Sequence, residues 1–428
     1  MKIQSKIVVG FDLGNLVSQL SYCILGEDEP VTLTMAGANE GKNITNVIAK
    51  RKGVNQWFYG MEAIEKAESN EAILVEDIYR KAILDEMITI DNNSYSFREL
   101  LKIFVSKIFD TVRNVISYEQ IELFVISVEE LNQNVIKLLN KVVEELPIKS
   151  DKIIFQSKEE SVFHYIVNMP SNIYDSRVLL VDGTDDFINT FVLNINKTVR
   201  PMIAHIDKVE YPYLEINNIP AAEQALLKFQ EEFDNNLLII VRALLEKNTF
   251  STIYFMGDIF VNEKFKNTIR HIGGTSRIFV GNNLFSKGAC YLAKDKLQKE
   301  KFDERYCFLG NDKLKTNIYL IAKVEGEVKK FPLVSAGLNW YEVDEEIDFM
   351  LGEENEIEIY TNSLTELAEK KFTMTLDGLP RRPQYTTRIR IKLSMVTENV
   401  LSIIVEDMGF GDIYKSTNKV WNMEEDIL

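Results

Sequence analysis

Two acidic turns carry the residues best suited to chemistry. The first, Asp12-Leu13-Gly14-Asn15, follows the apolar run Ile7-Val8-Val9-Gly10-Phe11 and leads into a second apolar run over residues 20–25. The other, Asp182-Gly183-Thr184-Asp185-Asp186, sits between Val178-Leu179-Leu180-Val181 and Phe187-Ile188 within residues 177–193. Strand, aspartate and glycine, strand is a hairpin whose tip presents backbone N–H groups and a carboxylate to a phosphate or a hydrated metal ion. An ordinary structural hairpin explains the same letters, and it is the repetition that makes the pair a candidate site. Together Asp12, Asp182, Asp185 and Asp186 would form a carboxylate cluster suited to magnesium or calcium, with solvated loop acids as the competing reading. A third turn, Gly257-Asp258, ends the apolar run 252–256. Gly273-Gly274-Thr275-Ser276-Arg277 reads as an ordinary turn, because it follows a helical stretch and precedes a strand.

Other chemistries find less support. His164, His205 and His271 are scattered, and Ser157, Ser161 and Cys290 lack a neighbouring His/Asp pattern to activate them. The acid runs 342–348 and 353–358 lack the EF-hand spacing and read as solvated strand edges that discourage edge-to-edge pairing. Cys23, Cys290 and Cys307 lie far apart with no CxxC, which implies neither a zinc site nor a disulfide framework and suits a reducing compartment. A formal net charge of −16 disfavours a nucleic-acid partner, since neutralising phosphates needs a basic face. The start of the chain enters a strand without a signal-peptide layout, and no apolar run is long enough to span a bilayer. The expectation is a cytoplasmic protein with no membrane partner.

These turns need elements to hold them. Residues 96–115 read as an amphipathic helix, with Phe97, Leu100, Leu101, Phe104, Ile108 and Val112 at three- and four-residue spacing and a capping box from Ser96 and Glu99. Strands are expected at 31–35, 45–49, 56–59, 121–128 and 152–155, and helices from Gly60 and over 132–145 and 159–168. After the second hairpin come a long helix at 221–247, a strand at 252–256, a helix at 262–271, a strand at 277–280 and a helix at 284–298. Each half thus joins a hairpin to a layer of strands and helices, an internal duplication in an α/β unit. Residues 299–305 are a charged break before the apolar tetrad Tyr306-Cys307-Phe308-Leu309. Beyond it the helical period gives way to short alternating segments at 316–323, 328–333, 347–351, 356–361, 371–376, 387–394 and 400–406, a β-sandwich of about seven or eight strands. The acidic end, 421–428, reads as a loose tail. The 428 residues exceed one ordinary core, and 46% hydrophobic with 27% charged residues is a globular composition.

In this order and spacing the chain resembles the DnaK-type heat-shock chaperones, within the superfamily of actin and the sugar kinases. Residues 7–23 resemble that family's first phosphate loop, 45–66 the strand, turn and helix after it, and 122–146 the strand and helix following the first lobe's long helix. Residues 152–167 are similar to its connecting strand and helix, 177–193 to its second phosphate loop, and 251–265 to its adenosine-binding strand, turn and helix. Residues 284–293, with Gly288-Ala289, resemble its terminal helix, and 306–309 its interdomain linker. Asp377-Gly378-Leu379-Pro380 followed by 388–406 resembles the Gly-Ile-Pro turn and last strands of its peptide-binding sandwich. The resemblance implies a two-lobed actin-like ATPase domain over 1–298 (lobes about 1–170 and 171–298), a linker at 299–309 and an all-β, substrate-binding-like sandwich at 310–420.

The family's working residues are largely replaced. Its threonine pair after Asp-Leu-Gly corresponds to Asn15 and Leu16, and its glycine run in the second loop to Thr184, Asp185, Asp186 and Phe187. Side chains there crowd an approach that bare glycine backbone permits. The added carboxylates also repel a triphosphate, with like charges at about 4 Å costing roughly 1–4 kcal/mol. The position of the catalytic lysine holds Ile64, with Lys66 two residues on, and the Glu-Pro switch falls on Ser157-Lys158. The base-stacking Gly-Gly-Ser-Thr-Arg turn retains Gly257 alone, followed by Asp258, Ile259, Phe260 and Val261. Only 194–221 stands where the family carries a helical subdomain. Phosphoryl transfer depends on positioning and charge stabilisation, so the expectation is a degenerate chaperone-like binding or scaffold protein with little or no ATP hydrolysis. Its vestigial nucleotide pocket comprises Asp12, Gly14, Asn15, Asp182, Gly183, Thr184, Gly257 and Asp258, with Asp12 and Asp182 as metal candidates and no catalytic residue. The alternative is a divergent ATP-binding chaperone that holds ATP or ADP with magnesium in a pocket rebuilt by Lys66, Asn15 and Arg277. Either reading takes a protein or peptide partner, with Leu338, Trp340 and Leu364 as apolar contacts on the sandwich or as its core.

Overall fold

The strand Ile7–Leu13 is buried along its whole length, which requires neighbours on both edges and cover on both faces. In the computed structural model, which describes residues 5–34, 42–216, 219–220, 222–261, 265–352, 355–365 and 369–427, it has both. It pairs antiparallel with Val17–Ile24 and parallel with Ile121–Val128, so that Asp12 lies opposite Gln19 on one side and Ser127 on the other. The sheet runs Ile153–Ser157, Ile121–Val128, Ile7–Leu13, Val17–Ile24, Val31–Thr32.

A second sheet repeats the plan. Arg177–Asp182 pairs antiparallel with Phe187–Asn196 and parallel with Phe250–Met256, which places Asp182 opposite Asn189 and Met256. Arg277–Gly281 flanks Phe250–Met256 on one side, and Met202–Glu215 flanks Phe187–Asn196 on the other. The two aspartates occupy the same place in the two copies, at the end of the strand that is paired on both sides. The two sheets thus share one pattern of antiparallel and parallel pairing.

Two helices join the halves. Lys158–Val167 packs against Leu284–Leu297, and the latter also lies on Ile7–Leu13, Val17–Ile24 and Ile121–Val128 of the first sheet. Glycines allow this closeness: a Cβ on Gly288 would stand 2.1 Å from the Ser161 carbonyl oxygen, and one on Gly10 would stand 2.2 Å from that of Ser286. The outer helix Phe97–Val112 carries the expected capping box, and the six apolar residues named from its spacing are all buried. Asp234, on the long helix Glu223–Lys247, accepts from the backbone N–H groups of Asn267 and Thr268 and so caps the helix Lys266–Ile272. The residues expected to open that helix, 262–264, lie outside those described.

The chain divides into two compact units, Met1–Tyr306 and Cys307–Leu428. In the second, one four-stranded sheet runs Glu327–Val334, Thr316–Val324, Glu356–Ser363, Glu369–Thr375, and the other Asp344–Met350, Arg388–Met395, Val400–Gly409, Val420–Asp426. They share one apolar core that includes Ile318, Ile359, Ile391 and Ile403. Arg382 forks onto the buried carboxylate of Asp407 with two contacts of 2.9 Å.

Three sequence expectations are corrected. The acidic end is a strand, not a loose tail: Val420–Asp426 pairs with Val400–Gly409, and its alternation turns Trp421 and Met423 onto the core. The charged break contains a short helix, Lys299–Asp303. Met202–Glu215 is a strand that the sequence reading left without structure. Its charges and Pro212 hide the alternation, and the register jumps there from Glu215 to Tyr211, leaving Pro212 in a bulge.

Candidate functional site

The first turn is shaped by one glycine. Gly14 donates to the Val17 carbonyl at 3.1 Å, and a Cβ on it would lie 2.6 Å from that oxygen. Asn46 donates to the Gly14 carbonyl at 2.7 Å and pins the loop from behind. In the second turn Asp182 folds back on itself, one carboxylate oxygen accepting from the Thr184 N–H at 3.1 Å and the Thr184 hydroxyl at 2.7 Å. Gly183 meets Gly257, whose φ of +119° and closeness to the Gly183 carbonyl (2.3 Å from a Cβ) exclude side chains. Asp12, Gly14 and Asn15 lie at the first turn, Asp182, Gly183 and Thr184 at the second, and Gly257 and Asp258 at a third.

The two turns meet directly. Asn15 donates to Asp185 at 2.7 Å, joining the first hairpin to the second across 170 residues. Asn43 donates to both carboxylate oxygens of Asp258 at 3.3 Å, and Asn282 adds a third contact at 3.3 Å. Behind them Gln19 donates to Asn43 at 3.0 Å and accepts from the Ser286 hydroxyl at 2.8 Å. Asp186 turns away from the other acids and pairs with Arg80.

The group at the centre is Lys158, which the sequence analysis places at the switch position of the resemblance but not in the site. It is the first residue of the helix Lys158–Val167, whose N-terminus is held by the Ser157 hydroxyl accepting from the Glu160 N–H. A cation is disfavoured at that end of a helix, and this one is only 2% exposed. Carboxylates compensate. Its ammonium pairs with Glu129 at 2.8 Å, and Glu129 pairs in turn with Lys208 at 2.7 Å. The ammonium also lies 4.8 Å from the centre of the Phe285 ring.

Burial and charge set the protonation of the cluster. Burial pushes the Asp12 carboxyl up to about 7, against the pull of Lys158, and that of Asp182 up to about 6 in the same way. Asp185 is also raised by burial. Burial alone would raise Glu129 as well, but Lys158 and Lys208 outweigh it and hold that carboxyl at about 2. For Lys158 the loss of water is outweighed by Glu129, Asp12, Asp182 and Asp185, so it stays charged well above neutrality. One oxygen each of Asp12, Asp182 and Asp185 is buried without a hydrogen-bond donor among the described residues, in line with carboxyls that burial pushes toward their neutral form. Three of the four acids, Asp12, Asp182 and Asp185, thus lie near one ammonium, that of Lys158, and the fourth, Asp186, pairs with Arg80. Among the described residues no group of three or more His, Cys, Asp or Glu side chains is placed to hold a metal ion.

Other sequence-named residues lie elsewhere. Lys66 pairs with Glu71 on its own helical arm, and Arg277 donates to the Asn172 carbonyl at a sheet edge. Neither enters the cleft. His164 is buried against Asp295 at 2.7 Å. On the second unit Trp340 is a core residue, edge-on to Tyr341, and not a surface contact. Leu338 is 37% exposed and Leu364 is half-buried. Lys158 stands in sequence between Gln156-Ser157 and Glu159-Glu160, a polar and acidic setting that does not reveal its burial or the Glu129 and Lys208 beside it.

A family model described as the C-terminal part of a family of unknown function, DUF5716, matches residues 29–311. The chain belongs to that family. A domain of unknown function, DUF8552, matches residues 313–427, and the seam between the two models falls close to the boundary between the two compact units. No curated protein matches the chain. Among the described residues, no helix is long and apolar enough to cross a membrane.

Proposed function

We propose that this DUF5716-family chain is a protein-binding or scaffold module of DnaK-like, two-lobed actin-like design that hydrolyses little or no ATP. The observation that carries the reading is the Lys158 ammonium buried among Asp12, Asp182, Asp185 and Glu129. In the resemblance drawn from the sequence, that space belongs to a metal ion and the terminal phosphates. A fixed ammonium supplies the positive charge the acids require, and the cation that remains cannot be exchanged or released with a product. The donor set therefore does not fit a nucleotide-bound metal.

The bridging side chains support the same reading. Asn15 to Asp185 and Asn43 to Asp258 tie the two halves together by direct contacts, in place of a ligand that could come and go. Of the three substitutes that a rebuilt pocket would use, Lys66 and Arg277 pair elsewhere, with Glu71 and with the Asn172 carbonyl, and Asn15 is engaged by Asp185. Binding is then the role left to such a chain, by a fixed rather than a cycled mode.

A single-turnover assay tests the proposal, with protein in excess over labelled ATP and magnesium present. No product above the protein-free control is expected. Product formation that disappears in Asp182→Ala would overturn it.

A further inference from the structure

His164 is a buried titratable group with no part in the cleft. It lies on the helix Lys158–Val167 with its side chain only 5% exposed, and each ring nitrogen faces a carboxylate. Nδ1 stands 2.7 Å from Asp295, on Leu284–Leu297. Nε2 stands 3.9 Å from Glu160, one turn earlier on its own helix, and Glu160 is itself buried. Asn168 donates to the same Asp295 oxygen at 3.0 Å and holds it in place. A neutral imidazole has a single N–H and turns a lone pair toward one of the two acids, whereas the imidazolium presents an N–H to each. The arrangement therefore suits the charged ring.

The face of this ring supports the end of the first unit. Phe302, on the short helix Lys299–Asp303, stacks on His164 with ring centres 4.8 Å apart and planes 24° from parallel. Phe163 meets Phe302 at 6.0 Å and Tyr306 at 5.8 Å, and Phe302 meets Tyr306 at 5.4 Å. Tyr306 is the last residue of the unit. A cation over an aromatic face adds an electrostatic attraction that a neutral ring lacks. Protonation of His164 thus strengthens its hold on both carboxylates and on Phe302, while Phe163 and Tyr306 touch Phe302 at any pH.

The other charges of this region are engaged elsewhere or face water. Arg305 lies 5.1 Å from the centre of the Tyr306 ring and donates to its hydroxyl at 3.2 Å. Lys301, Asp303 and Glu304 are exposed. Of the lysines that flank Asp295, Lys294 donates to the carbonyls of Glu27 and Asp28, and Lys296 is exposed. Among the described residues, then, Glu160 and Asp295 are the acids set against the ring.

We propose that His164 is a pH-sensitive latch on the end of the first unit. As the imidazolium it pins Phe302, and with it residues 301–306, against the pair of helices. On losing its proton it keeps one N–H for one acid, gives up the attraction to the ring of Phe302, and loosens the segment. The hold is complete at acidic pH and declines as pH rises through the range in which histidine side chains change charge, about 5 to 8. The inference stands on these contacts and not on the reading of the cleft.

NMR and hydrogen exchange on the full chain test this. With the histidines labelled at Cε1, the signal lost in His164→Gln identifies His164, and in the wild type it is expected to titrate within about pH 5 to 8. Exchange is followed over the same range at Phe302 and Arg305, whose N–H groups donate to the Gln298 and Phe302 carbonyls, and is corrected for the intrinsic effect of pH. Their protection is expected to fall about tenfold or more from the acidic to the alkaline end, the worth of one charge-assisted hydrogen bond. The core amides of Ile121–Val128 serve as the reference that separates local from global opening. Relative to that core, the two amides should exchange independently of pH in His164→Gln. In Asp295→Asn, which keeps a hydrogen-bonding side chain without its charge, the fall should shrink. A His164 signal that does not titrate would overturn the proposal. So would wild-type protection of Phe302 and Arg305 that tracks the core at every pH, or an equal fall in the wild type and both variants.

Discussion

Lys158 gains its effect from what surrounds it rather than from its own chemistry. A buried ion pair is poor evidence of net stability, because two desolvated charges repay only part of their cost, but removing one partner strands the other. Lys158→Met should therefore destabilise the first unit by about 3–5 kcal/mol, the range for a broken buried pair. Urea denaturation will measure it, and unchanged stability would show that the ammonium does not hold the cluster together. Asp12 gives the pH counterpart. Its carboxyl has an ordinary value of 3.8 and stands at about 7 in the folded chain. The folded protein thus keeps a proton that the unfolded chain releases, and this contribution to stability is complete below pH 3.8 and lost as pH rises through about 7. Asp12→Asn is neutral at every pH. Its melting temperature should exceed that of the wild type by a margin that grows from about pH 4 to about pH 7 and then levels off. A margin independent of pH would contradict the raised value. Glu129 has the opposite sign: its contribution is present above its ordinary 4.5 and is lost as pH falls through about 2.

Among the elements, the helix pair decides how closely the halves approach. Gly288→Ala on Leu284–Leu297 would drive a methyl group into the Ser161 carbonyl, a backbone atom that cannot swing aside. A loss of about 1–3 kcal/mol is expected, as for other overpacked contacts. Gly281→Ala, where nothing lies within 4 Å, is the control and should melt like the wild type. Equal behaviour of the two would mean that the helices can separate without penalty. The elements also show where the sequence is readable. Phe97–Val112 and the two hairpins were legible because their apolar periods are long and their caps or turns are local. Met202–Glu215 was not, since its charged residues and Pro212 are tolerated only because Phe187–Asn196 supplies a partner strand. Val420–Asp426 was masked by its acids, although Trp421 and Met423 already alternated with them. In the cleft, the turns bearing Asp12 and Asp182 could be found from local sequence. Lys158 could not, because its meaning depends on Glu129 and Lys208, brought to it from other strands and loops.

At the scale of the whole molecule, two compact units correspond to two matched domain models, and the first is built from two topologically equivalent halves. Enzymes of duplicated two-lobed design open and close around a ligand that each half grips, and the affinity of that ligand for the closed form drives the motion. Here the halves are held to one another through Asn15, Asn43 and the Lys158 cluster, and on the proposed reading a nucleotide would have to displace a buried ammonium before it could bind. On that reading the state of the molecule does not depend on nucleotide. Calorimetric titration of the full chain with ATP and with ADP, with and without magnesium, tests this most directly. No heat of binding at high nucleotide concentration, from protein shown to be folded, is the predicted result. Binding in the micromolar range or tighter, weakened by Asp182→Ala, would contradict it and return the chain to the switching chaperones.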